Sequence, residues 1–495
     1  VVSVERVEVV IVGAGFSGLG MAIALRQAGL DDFVVLEQAD RLGGTWRDNT
    51  YPGCGCDVQS HLYSYSFELN PDWSRRYAEH AEIQRYLEHC ATRHRLHARI
   101  RLNTEMTSAA FDERTGRWTV RTPTGTIDAG ALVLGIGPLH RPHVPDLPGR
   151  ERFTGAVFHS ARWDHDVDLT GKRVAVIGTG ASAIQFVPRI APMVDRLWLF
   201  QRTAPWVIGK PDRPFSRLER ATFRRFPSLM RAYRQSIYWR RELQALGFTR
   251  RHGLRVVEWT AKRAMRRAID DPELRRKLTP NYRAGCKRIL LSEDFYPALA
   301  RPQVELVTTG LAELRERSIV TGDGRELPVD AVILATGFDV IDGFTRLSIT
   351  GAGGQCLATT WADGVEAYLG TAVAGFPNMF LLLGPNTGLG HSSVVYMAEQ
   401  QFRYVLRCLL LLRRSGARCL MVRQDAQDEF NREIQRRLRA SVWNTGGCRS
   451  WYLDPDGVNR VLWPGFGWRF AQRTRAPDPT HFSLTGTRAD HRLAG

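Results

Sequence analysis

Gly13, Gly15 and Gly18 are spaced G-x-G-x-x-G at the end of a β-branched run, Val7 to Val12, and an apolar helix-forming stretch closed by a glycine follows. That spacing suits a pyrophosphate: Gly13 permits a tight turn, Gly15 lets backbone approach the phosphates, and Gly18 lets helix pack on strand. The free N–H groups and positive end of the helix then face the anion. Glu37 closes the next strand, FVVLE, where an acid accepts from a free ribose 2′-OH. A lone glycine fingerprint also occurs in plain αβ turns, but strand, helix and acid together point to a dinucleotide. A second unit runs from the strand RVAVIG through Gly178-Thr179-Gly180-Ala-Ser182-Ala183 to the helix AIQFVPRIAP and the strand LWLFQR. Its third position is Ala183, and its second strand ends in Gln201-Arg202-Thr203 rather than in an acid. An arginine fork suits a 2′-phosphate, so the second site is expected to prefer NADPH over NADH. The bland alternative for Arg202 is a surface arginine capping a strand. Cys54 and Cys56 form a C-x-C with no second cluster at zinc-like spacing, and no metal site is expected.

These residues need two α/β folds to carry them, and 495 residues is more than one hydrophobic core usually serves. With 43% hydrophobic and 24% charged residues, composition excludes a disordered chain. The expected class is α/β, with two Rossmann-like dinucleotide-binding domains and a helical insertion in the second. The boundaries predicted are 1–146 for the first part of one domain, 147–164 for a linker, 165–335 for the second domain with an insertion over about 211–301, and 336–495 for the return to the first domain and a tail. The last twenty or so residues, rich in Arg, Thr, Asp and Pro, read as loosely held. The formal net charge of +17 owes much to the stretch from Arg213 to Arg301, where apolar residues recur at helical spacing. That pattern is amphipathic helix and matches no nucleic-acid motif, so no nucleic-acid partner is expected. The longest apolar runs, Val405 to Leu412 and Ala131 to Leu139, fall short of the roughly 20 residues that span a bilayer. With no export signal visible, the reading is a cytoplasmic chain without integral membrane contact, whose eight scattered cysteines stay reduced.

Two dinucleotide units at this separation, with Ala335-Thr336-Gly337 ending a later strand, resemble the flavin-containing monooxygenase superfamily. Within it, Phe153-Thr-Gly155-Ala-Val-Phe-His159-Ser-Ala-Arg-Trp163-Asp164 is similar to the pattern F-x-G-x-x-x-H-x-x-x-W-[PD] of type I Baeyer–Villiger monooxygenases. Gly43-Gly44-Thr45-Trp46 with Tyr51-Pro52-Gly53 and Asp57, and Gly285-Cys-Lys287-Arg288 with Phe295-Tyr296, extend the likeness from Val7 to about Pro464. The resemblance implies FAD at the first fingerprint, touched by Glu37, Thr45, Trp46, Asp57, Tyr63 and Met106. It implies NADPH at the second, held by Thr179 to Gln185, Gln201, Arg202, Thr203 and Lys287. Trp451 looks like the tryptophan of the loop that covers the nicotinamide, although the run Leu453 to Asn459 after it departs from the family's usual Gly-Asn pair. The stretch Gly384 to His391 falls beside the flavin on this reading.

Phe153, Gly155, His159 and Trp163 are then expected to act as a conformational linker without touching substrate. The implied reaction takes O2 through a C4a-peroxyflavin to a small carbonyl substrate, giving an ester or lactone. Arg288, permanently charged, would stabilise the anions, and Asp57 would orient it. Three rivals remain open at this stage. A heteroatom (N- or S-) oxygenating enzyme usually lacks the terminal Trp163. A flavin disulfide reductase needs a cysteine pair where Trp46 stands. A non-enzymatic flavoprotein has no need of two intact fingerprints.

Overall fold

The computed structural model describes residues 4–248, 253–339 and 347–487. The strand Glu5–Val12, with Val10 and Ile11 fully buried, pairs in parallel with Phe33–Leu36 on one side and with Gly125–Leu134 on the other. Apolar residues on both faces of this strand fit a sheet covered on both sides. The sheet has eight strands, and its path runs Ser348–Thr350, Ser108–Asp112, Arg117–Thr122, Gly125–Leu134, Glu5–Val12, Phe33–Leu36, Ile100–Arg101. Met379–Leu381 adds to Gly125–Leu134, so two strands from beyond residue 335 belong to the first sheet. The helix Phe16–Gln27 lies against the long helix Val394–Ser415, and Gly20 allows the approach: a Cβ there would sit 2.2 Å from the Phe402 ring.

A second sheet of five strands is parallel throughout, in the order Val304–Val307, Arg196–Phe200, Arg173–Ile177, Ala331–Leu334, Ala156–His159. Ala156–His159 is therefore the edge strand of this sheet and more than a connector. Between Arg196–Phe200 and Val304–Val307 the chain is mainly helical, with Arg217–Arg225, Pro227–Phe248, Arg255–Ala268, Pro272–Lys277 and Phe295–Leu299.

Two expectations need correction. Cys286 and Cys448 form a disulfide, while the other six cysteines are free. The reading of reduced thiols rested on compartment alone, and a pairing across 162 residues leaves no local trace in sequence. The tail is also not wholly loose: Phe482–Thr487 forms an antiparallel pair with Ala417–Val422. Backbone pairing supplies what its polar side chains do not. The rest of that predicted loose end, residues 488–495, lies outside the described residues.

Candidate active site

The two fingerprints are built alike. Gly13 has φ +97° and Gly178 φ +110°, a region open to glycine at little cost. A Cβ at Gly13 would lie 2.6 Å from the Gly135 carbonyl oxygen, and one at Gly178 would lie 2.5 Å from that of Ala335. Each first glycine thus lets the turn press on the backbone that ends the neighbouring strand. Gly18 does the packing work expected of it, since a Cβ there would meet the Gly13 carbonyl oxygen at 1.8 Å. Gly15 and Gly180 line a cavity of about 1570 Å³, and a Cβ at Gly180 would meet no protein atom within 4 Å. Gly18 and Ala183 stand behind the cavity wall, Ala183 fully buried. The helices that start here, Phe16–Gln27 and Ala183–Ile190, have neither a capping side chain nor an acid in the first turn. Their free N–H groups remain available to an anion.

Beside the first fingerprint, Glu37 is buried, and its Oε2 accepts from the Ala14 amide at 2.8 Å. Its Oε1 accepts from the Ala39 amide at 3.1 Å and from Arg47 Nη1 at 2.9 Å. Each carboxylate oxygen has two lone pairs, so Oε2 keeps one for a ribose hydroxyl. Thr45, Trp46, Tyr63 and Met106 line the same cavity, and Trp46 Nε1 donates to the Tyr63 hydroxyl at 3.1 Å. Burial raises the Tyr63 phenol well above its usual range, so this wall is neutral.

Around the second fingerprint, Thr179, Ser182, Gln185, Gln201, Arg202, Thr203 and Lys287 reach the cavity. Gln185 joins the two halves: its Oε1 accepts from the Tyr51 hydroxyl at 3.0 Å and the Gly55 amide at 3.2 Å, and its Nε2 donates to the Gly55 carbonyl at 3.0 Å. Gln201 Nε2 donates to the Lys277 carbonyl at 2.8 Å, which fixes the strand end. Lys287 has its pKa lowered by burial and by the charge of Arg202. Among the described residues neither cation is paired with a carboxylate. Two uncompensated cations near one another on a cavity wall favour an anion. The donor set fits a 2′-phosphate at the second site, and the open turns and bare helix ends fit a pyrophosphate at each.

Where the two halves meet, Arg288 Nε donates to Asp57 Oδ2 at 2.8 Å and Nη2 to Oδ1 at 2.7 Å. Burial alone would raise the Asp57 carboxyl, but Arg288's charge and hydrogen bonds hold it below the usual range. Asp57 in turn raises Arg288, chiefly by charge attraction. The guanidinium is therefore locked in orientation and in charge, and it faces the cavity. Tyr452 is buried close by, its phenol pushed up to about 12 by burial, and its ring is 4.6 Å from that of Trp451, which is 47% exposed. The Cys286–Cys448 bridge ties the segment of Lys287 and Arg288 to that of Trp451 and Tyr452.

Phe153, Gly155, His159 and Trp163 do not line the cavity. Gly155 is required by packing, because a Cβ there would lie 2.4 Å from the Asp330 carbonyl oxygen and 2.6 Å from the Phe153 ring. His159 Nδ1 accepts from the Ala161 amide at 3.0 Å, and burial lowers its pKa to about 4, so it is neutral. Trp163 meets Phe158 and Phe186 edge-on at 5.2 Å each, and Phe186 meets Tyr51 at 5.9 Å. This aromatic chain runs from the edge strand to the irregular segment that carries Tyr51 and Asp57. Sequence reasoning passed over Tyr51 as a contact to Gln185, and also Arg47, Tyr452 and the disulfide. The Tyr51-Pro52-Gly53 match pointed at the first; the others had no local signal.

Residues 10–247, which contain both fingerprints, match the family described as pyridine nucleotide-disulphide oxidoreductase. Cys54 and Cys56 do not form that family's name-giving pair here: both are free and buried, and burial pushes Cys54 up to about 12 and Cys56 higher still, far from the thiolate such chemistry needs. The chain is 51% identical to a Baeyer-Villiger monooxygenase of Pseudomonas aeruginosa, over 97% of this chain and 92% of that one. Among solved structures it is similar to an oxidized steroid monooxygenase bound to NADP, with 33% identity, TM-score 0.87, and coverage of 97% of this chain and 99% of that one. The OTEMO complex with FAD and NADP is 26% identical, with TM-score 0.87 and coverage of 98% and 100%.

Proposed function

The chain belongs to the Baeyer–Villiger monooxygenases, and we propose that its cavity holds FAD at Gly13 to Gly18 and NADPH at Gly178 to Gln185, with Arg288 as catalytic residue and Asp57 as its positioning residue. The enzyme is an FAD- and NADPH-dependent monooxygenase that converts a ketone to an ester or lactone. Bound FAD would supply the redox chemistry, hydride acceptance from NADPH and activation of O2.

The chain's own residues supply orientation, charge and exclusion of water. Glu37 holds the ribose of FAD, and the bare N-terminus of Phe16–Gln27 holds its pyrophosphate. Arg202 and Lys287 take the 2′-phosphate, and Thr203 and Gln201 frame the strand end beside it. Arg288 keeps a positive charge at any working pH and offers N–H donors to the negative charge that develops on the ketone oxygen. Asp57 prevents the guanidinium from turning away. Trp451 and Tyr452 close the cavity over the nicotinamide, and Phe153, Gly155, His159 and Trp163 couple the second sheet to the loop of Tyr51 and Asp57. The observation that carries this reading is the bidentate Arg288–Asp57 pair on the wall of a cavity with two pyrophosphate turns.

The test incubates the FAD-loaded enzyme with NADPH and linear, cyclic and aryl ketones, looking for products heavier by one oxygen. Arg288→Ala should still bind FAD and still be reduced by NADPH, while ester formation per bound flavin falls roughly a hundredfold to a thousandfold. Near-normal ester formation in that variant removes Arg288 from the mechanism.

A further inference from the structure

The helices Pro227–Phe248 and Arg255–Ala268 carry an outer surface that the oxygenation chemistry does not use. On the first, Trp239 is 54% and Leu243 66% exposed; on the second, Val256 is 72% and Trp259 58% exposed. Trp239 and Leu243 are four residues apart, and Val256 and Trp259 three, so each pair shares one face of its helix. The two helices come together at a corner: a Cβ at Gly253 would lie 2.3 Å from the Gly247 carbonyl oxygen, and Leu254 packs on Gly247. By helix rise, the four side chains lie within about 12 Å of it along the chain.

Charge decides what this surface suits. Residues 227–268 contain eleven Arg and Lys against two Glu, and among the described ones Arg231, Arg240, Arg255, Arg263, Arg266 and Arg267 are exposed while Arg234 is buried. Both acids turn inward. Glu242 is buried and accepts from the Gly467 amide at 2.9 Å, and Glu258 accepts from the Ala284 amide at 3.1 Å and pairs with Arg283 at 3.3 Å. What reaches solvent is apolar bulk among cations such as Arg240, with the Arg263 guanidinium 5.2 Å from the centre of the Trp259 ring. Two copies of a uniformly cationic face repel each other, which argues against self-association through it. Exposed tryptophan and aliphatic side chains among arginines are the pattern of a helix lying in a headgroup layer, the rings and aliphatic groups at the acyl boundary and the cations on lipid phosphates. No helix among the described residues is long and apolar enough to cross a membrane, so the contact would be a surface one.

We propose that this corner docks the enzyme reversibly on an anionic phospholipid bilayer. The experiment mixes FAD-loaded enzyme with sedimentable vesicles of phosphatidylcholine alone or with a third of phosphatidylglycerol, at low and raised salt. Co-sedimentation should be stronger on the anionic vesicles by on the order of tenfold and should fall with salt. W239S/W259S and, separately, R240Q/R263Q should each lose most of that binding, while their thermal midpoints and their turnover of a water-soluble ketone match the parent. Equal binding to both vesicle types, absence of binding, or undiminished binding by both variants overturns the proposal. So does a concentration-dependent dimer that the tryptophan variant abolishes, since a second copy would then own the face. Salt-sensitive binding to duplex DNA that competes away the vesicles would overturn it too.

Discussion

At the scale of single residues, the proposed specificity for NADPH turns on two cations that no carboxylate among the described residues pairs. Arg202 brings a planar fork, and Lys287 adds a second charge already disfavoured by burial and by its neighbour. A 2′-phosphate relieves that repulsion, whereas the hydroxyl of NADH leaves it in place. Arg202→Ala should therefore raise the KM for NADPH by about tenfold to a hundredfold, the worth of a charged hydrogen-bonded contact, and leave that for NADH little changed. Initial-rate measurements of flavin reduction with both coenzymes decide the matter. Equal efficiency with both in the parent enzyme would sink the assignment. Glu37 shows the opposite arrangement: an acid with three donors around it suits the unphosphorylated ribose of FAD.

At the scale of elements, the disulfide is the connection that most alters the expected picture, because it fastens the arginine segment to the segment that carries Trp451. Denatured protein prepared without reductant should have six titratable thiols, and protein treated with a dithiol all eight. Cys448→Ser should lower stability by about 2–4 kcal/mol, since a long closed loop is released from its constraint. Thiol titration and urea unfolding measure the two effects; eight thiols before reduction would show that the bridge does not form. These elements also mark how far sequence could be followed. The turns at Gly13 and Gly178 were legible because positive φ and a carbonyl within 2.6 Å leave room for glycine alone. The place of Arg202 on the cavity wall was legible because it follows the strand Arg196–Phe200, whose end opens on the cavity. Arg288 and Asp57 are 231 residues apart, and only their family motifs brought them together in the sequence. The bridge and the pairing of Phe482–Thr487 had no such motif, and tertiary contact decided both.

At the scale of the whole molecule, buried histidines set the response to acid. His61 is 2% exposed, enclosed edge-on by Phe215, Phe223 and Tyr233, and lowered to about 4 by burial and by the charge of Arg234. His159 is likewise lowered to about 4 by burial, and His80 and His140 move in the same direction. Below the ordinary histidine value of 6.5 the unfolded chain takes up protons that the folded chain refuses, so stability falls as pH drops from 6.5 towards 4. Each of these two histidines contributes about 3 kcal/mol that is fully present above 6.5 and fully lost only below the folded value. Carboxylates follow at lower pH: Asp330, held at about 2 by Arg173, and Asp57, held down by Arg288, lose their contribution once protonated. A formal charge of +17 at pH 7 rises through the same range and adds repulsion. Urea unfolding of the FAD-loaded enzyme at pH 7.5, 6 and 5 should therefore show decreasing stability. His61→Phe, which keeps an aromatic ring in the cage and removes one proton site, should show a shallower dependence by up to about 1.4 kcal/mol per pH unit. Parallel curves for parent and variant would mean that His61 titrates normally in the folded enzyme and that its aromatic enclosure does not exclude the proton.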